Sequence, residues 1–143
     1  MKDYKEMIIL IAEDDDGHAD LIKEGLIEAG ICNHIKRFAD GEEIWNFFED
    51  HLLKNDEQFT NSYLLLLDIN MPKVDGIEVL RRVKGNEKLK EIPVIMLTTT
   101  DDPREVEECY KIGCNFYITK PVDFTKFAEM LKRLGLFIQV VRV

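Results

Sequence analysis

The chain has 143 residues, with 19 lysines and arginines against 28 aspartates and glutamates, and three cysteines. That length suits one domain, 1–143, able to bury a core without crosslinks, and a net charge of −9 argues against general binding to nucleic acid or to an anionic membrane. Cys32, Cys109 and Cys114 show neither CxxC nor zinc spacing, and an odd count with no secretory leader suits small apolar fillers in a reducing cytoplasm.

Met7-Ile8-Ile9-Leu10-Ile11-Ala12 reads as the first strand and is too short to be a signal sequence or a membrane span. Residues 17–29 carry helical periodicity and stop at Gly30. Ile22, Leu26 and Ala29 lie on the core stripe of that helix, with His18, Leu21 and Gly25 on the stripe beside it. Residues 33–38 form a more polar strand, placed toward an edge. Asp40 caps a helix that reaches about Lys54, its apolar side made by Ile44, Trp45, Phe47 and Phe48.

Residues 55–62 are a polar loop before the most apolar strand, Tyr63-Leu64-Leu65-Leu66-Leu67, which ends in Asp68. A strand that apolar is covered on both faces and occupies a central position in a parallel sheet. A helix from Gly76 to about Gly85 carries Ile77, Val79, Leu80 and Val83, and residues 93–98 form the fourth strand. Asp101 or Asp102 starts the next helix, with Pro103 in its first turn and an end near Gly113. Residues 115–119 are the fifth strand, and Asp123 opens a last helix to about Leu134, completing a core of about residues 7–134. The extension 135–143 holds Leu136, Phe137, Ile138, Val140, Val141 and Val143 and is too apolar for a solvated tail.

Strands alternating with helices predict an α/β fold with a doubly wound parallel sheet. Right-handed crossovers then bring the carboxyl ends of strands one, three, four and five to one rim, where open sheets of this kind bind ligands. Glu13-Asp14-Asp15-Asp16 follows strand one, Asp68 ends strand three, Thr98 ends strand four, and Lys120-Pro121 follows strand five. Glu13, Asp14 and Asp68 crowd carboxylates together, which raises pKa values or demands a cation. Oxygen-only ligands select a hard ion, Mg²⁺ or Mn²⁺. A carboxylate can be a nucleophile toward phosphorus, and such a transfer needs positioning and charge neutralisation. Lys120 and the Thr98 hydroxyl supply a charge and a donor for phosphoryl oxygens.

Together, Glu13-Asp14, Asp68, Thr98 and Lys120-Pro121, with the turn Asp68-Ile69-Asn70-Met71-Pro72-Lys73-Val74-Asp75-Gly76, resemble the response-regulator receiver domain. The resemblance runs from Met7 to Leu134 and implies a flavodoxin-like sheet, whose order 2-1-3-4-5 is adopted with it. It implies that Asp68 accepts phosphate from a histidine kinase, that Asp14, Asp68 and the Asn70 main-chain oxygen bind Mg²⁺ directly, and that Glu13 binds it through water. Thr98 and Lys120 correspond to the groups on the phosphoryl oxygens, and Tyr117 to the aromatic switch that turns inward and reshapes the face of helix four, strand five and helix five. Asn70 and Thr100 occupy positions that influence hydrolysis of the aspartyl phosphate, and the resemblance also implies a cis peptide before Pro121. His18 and Leu21 lie on the side of helix one that docks the kinase.

The apolar extension, Thr98-Thr99-Thr100-Asp101-Asp102 and Tyr117-Ile118-Thr119-Lys120-Pro121-Val122 are similar to single-domain regulators of bacterial and cyanobacterial phytochrome kinases. That resemblance implies a cytoplasmic phosphorelay protein that is not an enzyme toward external substrates and that forms a homodimer through the helix-four, strand-five, helix-five face. Two alternatives stand beside it. One is a receiver-like interaction module that is never phosphorylated. The other is a Mg²⁺-dependent phosphatase of the haloacid-dehalogenase type, which needs a second Asp where this chain has Asn70.

Overall fold

The structure, a computed structural model, describes residues 7–54 and 62–140. Its strands are β1 (Met7–Ala12), β2 (Ile35–Phe38), β3 (Ser62–Leu67), β4 (Val94–Thr98) and β5 (Phe116–Thr119). Its helices are α1 (Asp16–Glu28), α2 (Gly41–Phe47), α3 (Gly76–Lys84), α4 (Pro103–Ile112) and α5 (Phe124–Val140). The strands form one parallel sheet in the order β2-β1-β3-β4-β5, as the resemblance implied. Of the polar loop expected at 55–62, Ser62 is the first residue of β3 and the rest lies outside the described residues, as do Val141 and Val143.

Side chains alternate across the sheet, and each alternate set meets a helix layer. Leu10, Leu65, Leu67, Val94 and Met96 pack with Ile44, Phe48, Val79, Leu80, Val83 and Cys109 on the α2, α3 and α4 side. Ile9, Ile11, Leu64, Leu66, Ile95 and Leu97 pack with Ile22, Leu26, Phe127 and Leu131 on the α1 and α5 side. A sheet apolar on both faces is what the uninterrupted runs of β1, β3 and β4 demanded.

Aspartates close the amino ends of four helices, each accepting a main-chain N–H at 2.8–2.9 Å: Asp15 for α1, Asp40 for α2, Asp75 for α3 and Asp102 for α4. The second helix continues past Phe47 as a wider π-helical segment, Phe48–Leu53. Phe48 and Leu52 of that segment are both buried.

The last helix differs most from expectation. It does not end at Leu134 but runs through Gly135 to Val140. Gly135 is a notch and not a stop: a Cβ there would lie 2.5 Å from Ala29 Cβ. Gly25 serves the same contact, since a Cβ on it would lie 2.7 Å from Leu131 Cβ. Ile138 is buried in the same layer, and Gln139 Nε2 donates to Ala29 O at 2.7 Å, satisfying a carbonyl at the end of α1. Part of the apolar extension is thus core, and Leu136, Phe137 and Val140 stay exposed.

Candidate functional site

Parallel register delivers the polar residues to one rim. Ala12 pairs with Leu67, and Thr98 pairs with Thr119, so Glu13, Asp68, Thr98 and Lys120 all leave the sheet at its carboxyl edge. Asp68 N donates to Ala12 O at 3.0 Å and Lys120 N to Thr98 O at 2.7 Å, tying neighbouring strand ends together. Carboxylate oxygens of Glu13, Asp14 and Asp68 all lie within 4.8 Å of one another. An all-oxygen cluster of this kind fits a hard divalent cation. Asp14 is exposed, whereas Glu13 and Asp68 are buried.

The acidic quartet divides its work. Asp15 caps α1, and Asp16 accepts from Arg37 Nη1 at 2.8 Å. Arg37 also grips the Glu13 carbonyl through Nε at 3.0 Å and Nη2 at 2.7 Å. This arginine on the edge strand β2 holds the main chain that presents Glu13 and Asp14; sequence reasoning passed over it, because one Arg on a polar strand carries no signal of its own. Burial, reinforced by the Asp68 charge and opposed by the hydrogen bond from Lys120, pushes the Glu13 carboxyl up to about 7.

Lys120 is only 3% exposed and reaches into the middle of the pocket. Its ammonium donates to Glu13 Oε1 and, at 3.3 Å, to Asp68 Oδ2. His18 Nδ1 lies 3.2 Å from the same ammonium. The His18 ring is half-buried, tilted against Phe127 at 5.8 Å between centroids. No peptide bond among the described residues is cis, so the cis peptide expected before Pro121 is replaced by a trans one. Lys120 is aimed by its ion pairs instead.

The loop after Asp68 is held by two glycines. A Cβ on Gly76 would lie 1.9 Å from Asp68 O, and one on Gly41 would lie 1.7 Å from Val74 O. Gly76 N also donates to Ile69 O at 2.8 Å, and Lys73 sits at φ 70°, a left-handed conformation uncommon outside glycine. Gly76→Ala is therefore expected to lower stability by about 3 kcal/mol, read by urea unfolding; a loss below about 0.5 kcal/mol would show that the loop can yield.

Thr98 is fully buried, and its hydroxyl oxygen accepts weakly from Thr100 N at 3.5 Å. Asn70 Nδ2 donates to Thr100 Oγ1 at 3.2 Å, joining the loop after β3 to the loop after β4 beside Asp68. Tyr117 is half-buried, and its hydroxyl donates to Thr100 O at 2.6 Å; burial drives the phenol pKa upward, which keeps that proton on. The aromatic ring on β5 is thus tied to the loop that carries Thr98 and Thr100. Leu21 is partly buried at the margin of the α1 and α5 layer, and Gly25 is spent on the contact with Leu131. The stripe beside the core thus mixes packing with one residue, His18, that reaches the site.

A doubly wound sheet whose rim gathers carboxylates, a hydroxyl and an ammonium around one strand-end aspartate has the make-up of a receiver domain. The family model for the response regulator receiver domain matches residues 9–132, and the chain belongs to that family of two-component signalling proteins. Response regulator Rcp1 of Synechocystis is 33% identical over 133 residues, 91% of this chain and 87% of its own length. Its Mn²⁺-bound structure matches with a TM-score of 0.84 at 30% identity, covering 95% of this chain and 97% of that one. A receiver domain from Rhodospirillum rubrum matches at 0.89 with 43% identity, covering 95% and 96%. The phosphorylated cyanobacterial phytochrome response regulator RcpA matches at 0.83 with 28% identity, covering 95% and 96%. Among the described residues no helix is long and apolar enough to cross a membrane.

Proposed function

We propose that this chain is a response regulator receiver that takes a phosphoryl group from a histidine kinase onto Asp68. The observation that carries this is the pocket itself: three acidic residues with oxygens within 4.8 Å of one another, and an ammonium 3.3 Å from Asp68 Oδ2. In the transfer an Asp68 carboxylate oxygen forms the new O–P bond while the N–P bond of the donor phosphohistidine breaks, and the electron pair returns to the imidazole. Lys120 faces the incoming negative charge and holds Asp68 in place, and Thr98 offers its hydroxyl to a phosphoryl oxygen. Asp14, Asp68, the Asn70 main-chain oxygen and, through water, Glu13 would hold Mg²⁺ or Mn²⁺, which neutralises phosphoryl charge when bound.

Phosphorylation adds up to about two negative charges and three acceptor oxygens. Movement of Thr98 toward them would pull the loop to which Tyr117 is bonded, and so alter the face of α4, β5 and α5. The protein works in the cytoplasm as a phosphoacceptor, not as an enzyme on external substrates. Its kinase is of the phytochrome type, a reading supported by the likeness to Rcp1 and RcpA. Phosphotransfer from the histidine kinases of the same genome, with wild type and Asp68→Ala side by side, tests this. Transfer to wild type alone is expected; a wild type that also resists acetyl phosphate would leave an interaction module that is never phosphorylated.

The same face is the surface through which a homodimer is proposed to form. Phe116 and Phe137 meet edge-on at 5.2 Å and are exposed, with Leu136 and Val140 exposed beyond them. Apolar area of this kind is what self-association removes from water. Light scattering is expected to find a dimer that Phe137→Glu with Val140→Glu converts to a monomer. A wild-type monomer at high concentration, with and without a phosphoryl analogue, would remove the idea.

A further inference from the structure

We propose that His18 is a positioning residue for Lys120, holding the ammonium beside Asp68 through its Nδ1 lone pair. This inference rests on the phosphoacceptor role proposed above. An ammonium has three N–H donors and no lone pair, so every close polar neighbour must accept. Lys120 Nζ has three such neighbours here: Glu13 Oε1, Asp68 Oδ2 at 3.3 Å and His18 Nδ1 at 3.2 Å. At 3% exposure there is little water to replace any of them.

The three acceptors are not equivalent. Glu13 and Asp68 belong to the acidic cluster that fits a cation, and Asp68 is the oxygen nucleophile. Both have other claims on their oxygens once the pocket is in use. His18 stands outside that cluster, so its nitrogen stays with Lys120 throughout. It is also firmly held: the third residue of α1, its main-chain N–H is bonded to Asp15 Oδ1 at 2.9 Å and its ring is seated against buried Phe127. The contact requires a neutral imidazole with its proton on Nε2. Hydrogen bonds to charged groups are the strong ones, and losing this acceptor leaves one N–H of a buried ammonium unpaired and its position set by the two carboxylates alone.

Two substitutions separate the acceptor from the ring. Asn places an oxygen on the same atom path as Nδ1 but removes most of the bulk against Phe127. Leu keeps bulk and removes the acceptor. Labelling by acetyl phosphate with Mg²⁺ is expected to slow about tenfold in His18→Leu and to stay within about twofold of wild type in His18→Asn. Thermal melts of both, without phosphodonor, are expected to rank the other way, with Asn the less stable. A His18→Leu protein that labels at the wild-type rate overturns the inference, and so do two variants that slow equally. Nitrogen NMR of the unmodified wild type reads the tautomer independently of folding in any variant. A bare Nδ1 with a protonated Nε2 supports the contact, and a protonated Nδ1 overturns it. If neither acetyl phosphate nor a kinase labels the wild type, the phosphoacceptor role falls, while the tautomer still decides the His18 contact.

Discussion

Asp68→Asn is expected to lower phosphoryl uptake by more than about a thousandfold, to below detection. The substitution is nearly isosteric, but an amide has no charged oxygen with which to attack phosphorus. The effect should be specific to chemistry. Asp68 is one of three carboxylates crowded within 4.8 Å, and its charge helps to raise the pKa of Glu13. Removing it relieves like-charge repulsion, so the variant should melt at the wild-type temperature or above it. Quantified phosphotransfer from a cognate kinase, with a thermal melt of the same sample, checks both halves. Residual labelling of Asp68→Asn above a few per cent would move the acceptor elsewhere, with Asp14 the first candidate because it is the exposed member of the cluster.

The sheet was legible because its evidence is local. Apolar runs such as Tyr63 to Leu67 can be buried only between two layers, and each ends in a polar residue that parallel register carries to one edge. Asp40, Asp75 and Asp102 cap the helices they precede, as their side-chain chemistry favours. What was not legible depends on which surfaces meet. Gly135 has the composition of a helix stop, yet it is the point at which α5 passes closest to Ala29, and nothing within five residues of it announces that contact. His18 had the spacing of a surface stripe, and only the position of Lys120, 102 residues along the chain, turned it into a neighbour of the site. Arg37 is the same kind of case, with partners more than 20 residues away.

Lys120→Met is expected to cost about 3 kcal/mol of stability at pH 8 without divalent metal, because it leaves buried carboxylates with no counter-charge. Lys120 and Glu13 are both almost wholly buried and bonded to each other, and Asp68 shares the same ammonium. The deficit should shrink as the solution is acidified. Glu13 ordinarily titrates at 4.5 and is already pushed up to about 7 by burial; Lys120 pulls that value down, so its removal sends it higher. A carboxyl whose folded pKa lies above its unfolded one contributes stability that is complete below 4.5 and is lost as pH rises through the folded pKa. Near pH 6 the variant protonates Glu13 more fully than at pH 8, and so avoids more of the penalty there. Added Mg²⁺ should then raise the unfolding free energy of Lys120→Met at pH 8 more than that of wild type, since a ligand that binds only the folded state stabilises by mass action and here meets no competing ammonium. Urea unfolding at pH 6 and 8, with and without Mg²⁺, reads all four states. A deficit that is the same at both pH values and indifferent to Mg²⁺ would mean that Lys120 contributes packing alone, and the electrostatic account of the pocket would have to be given up.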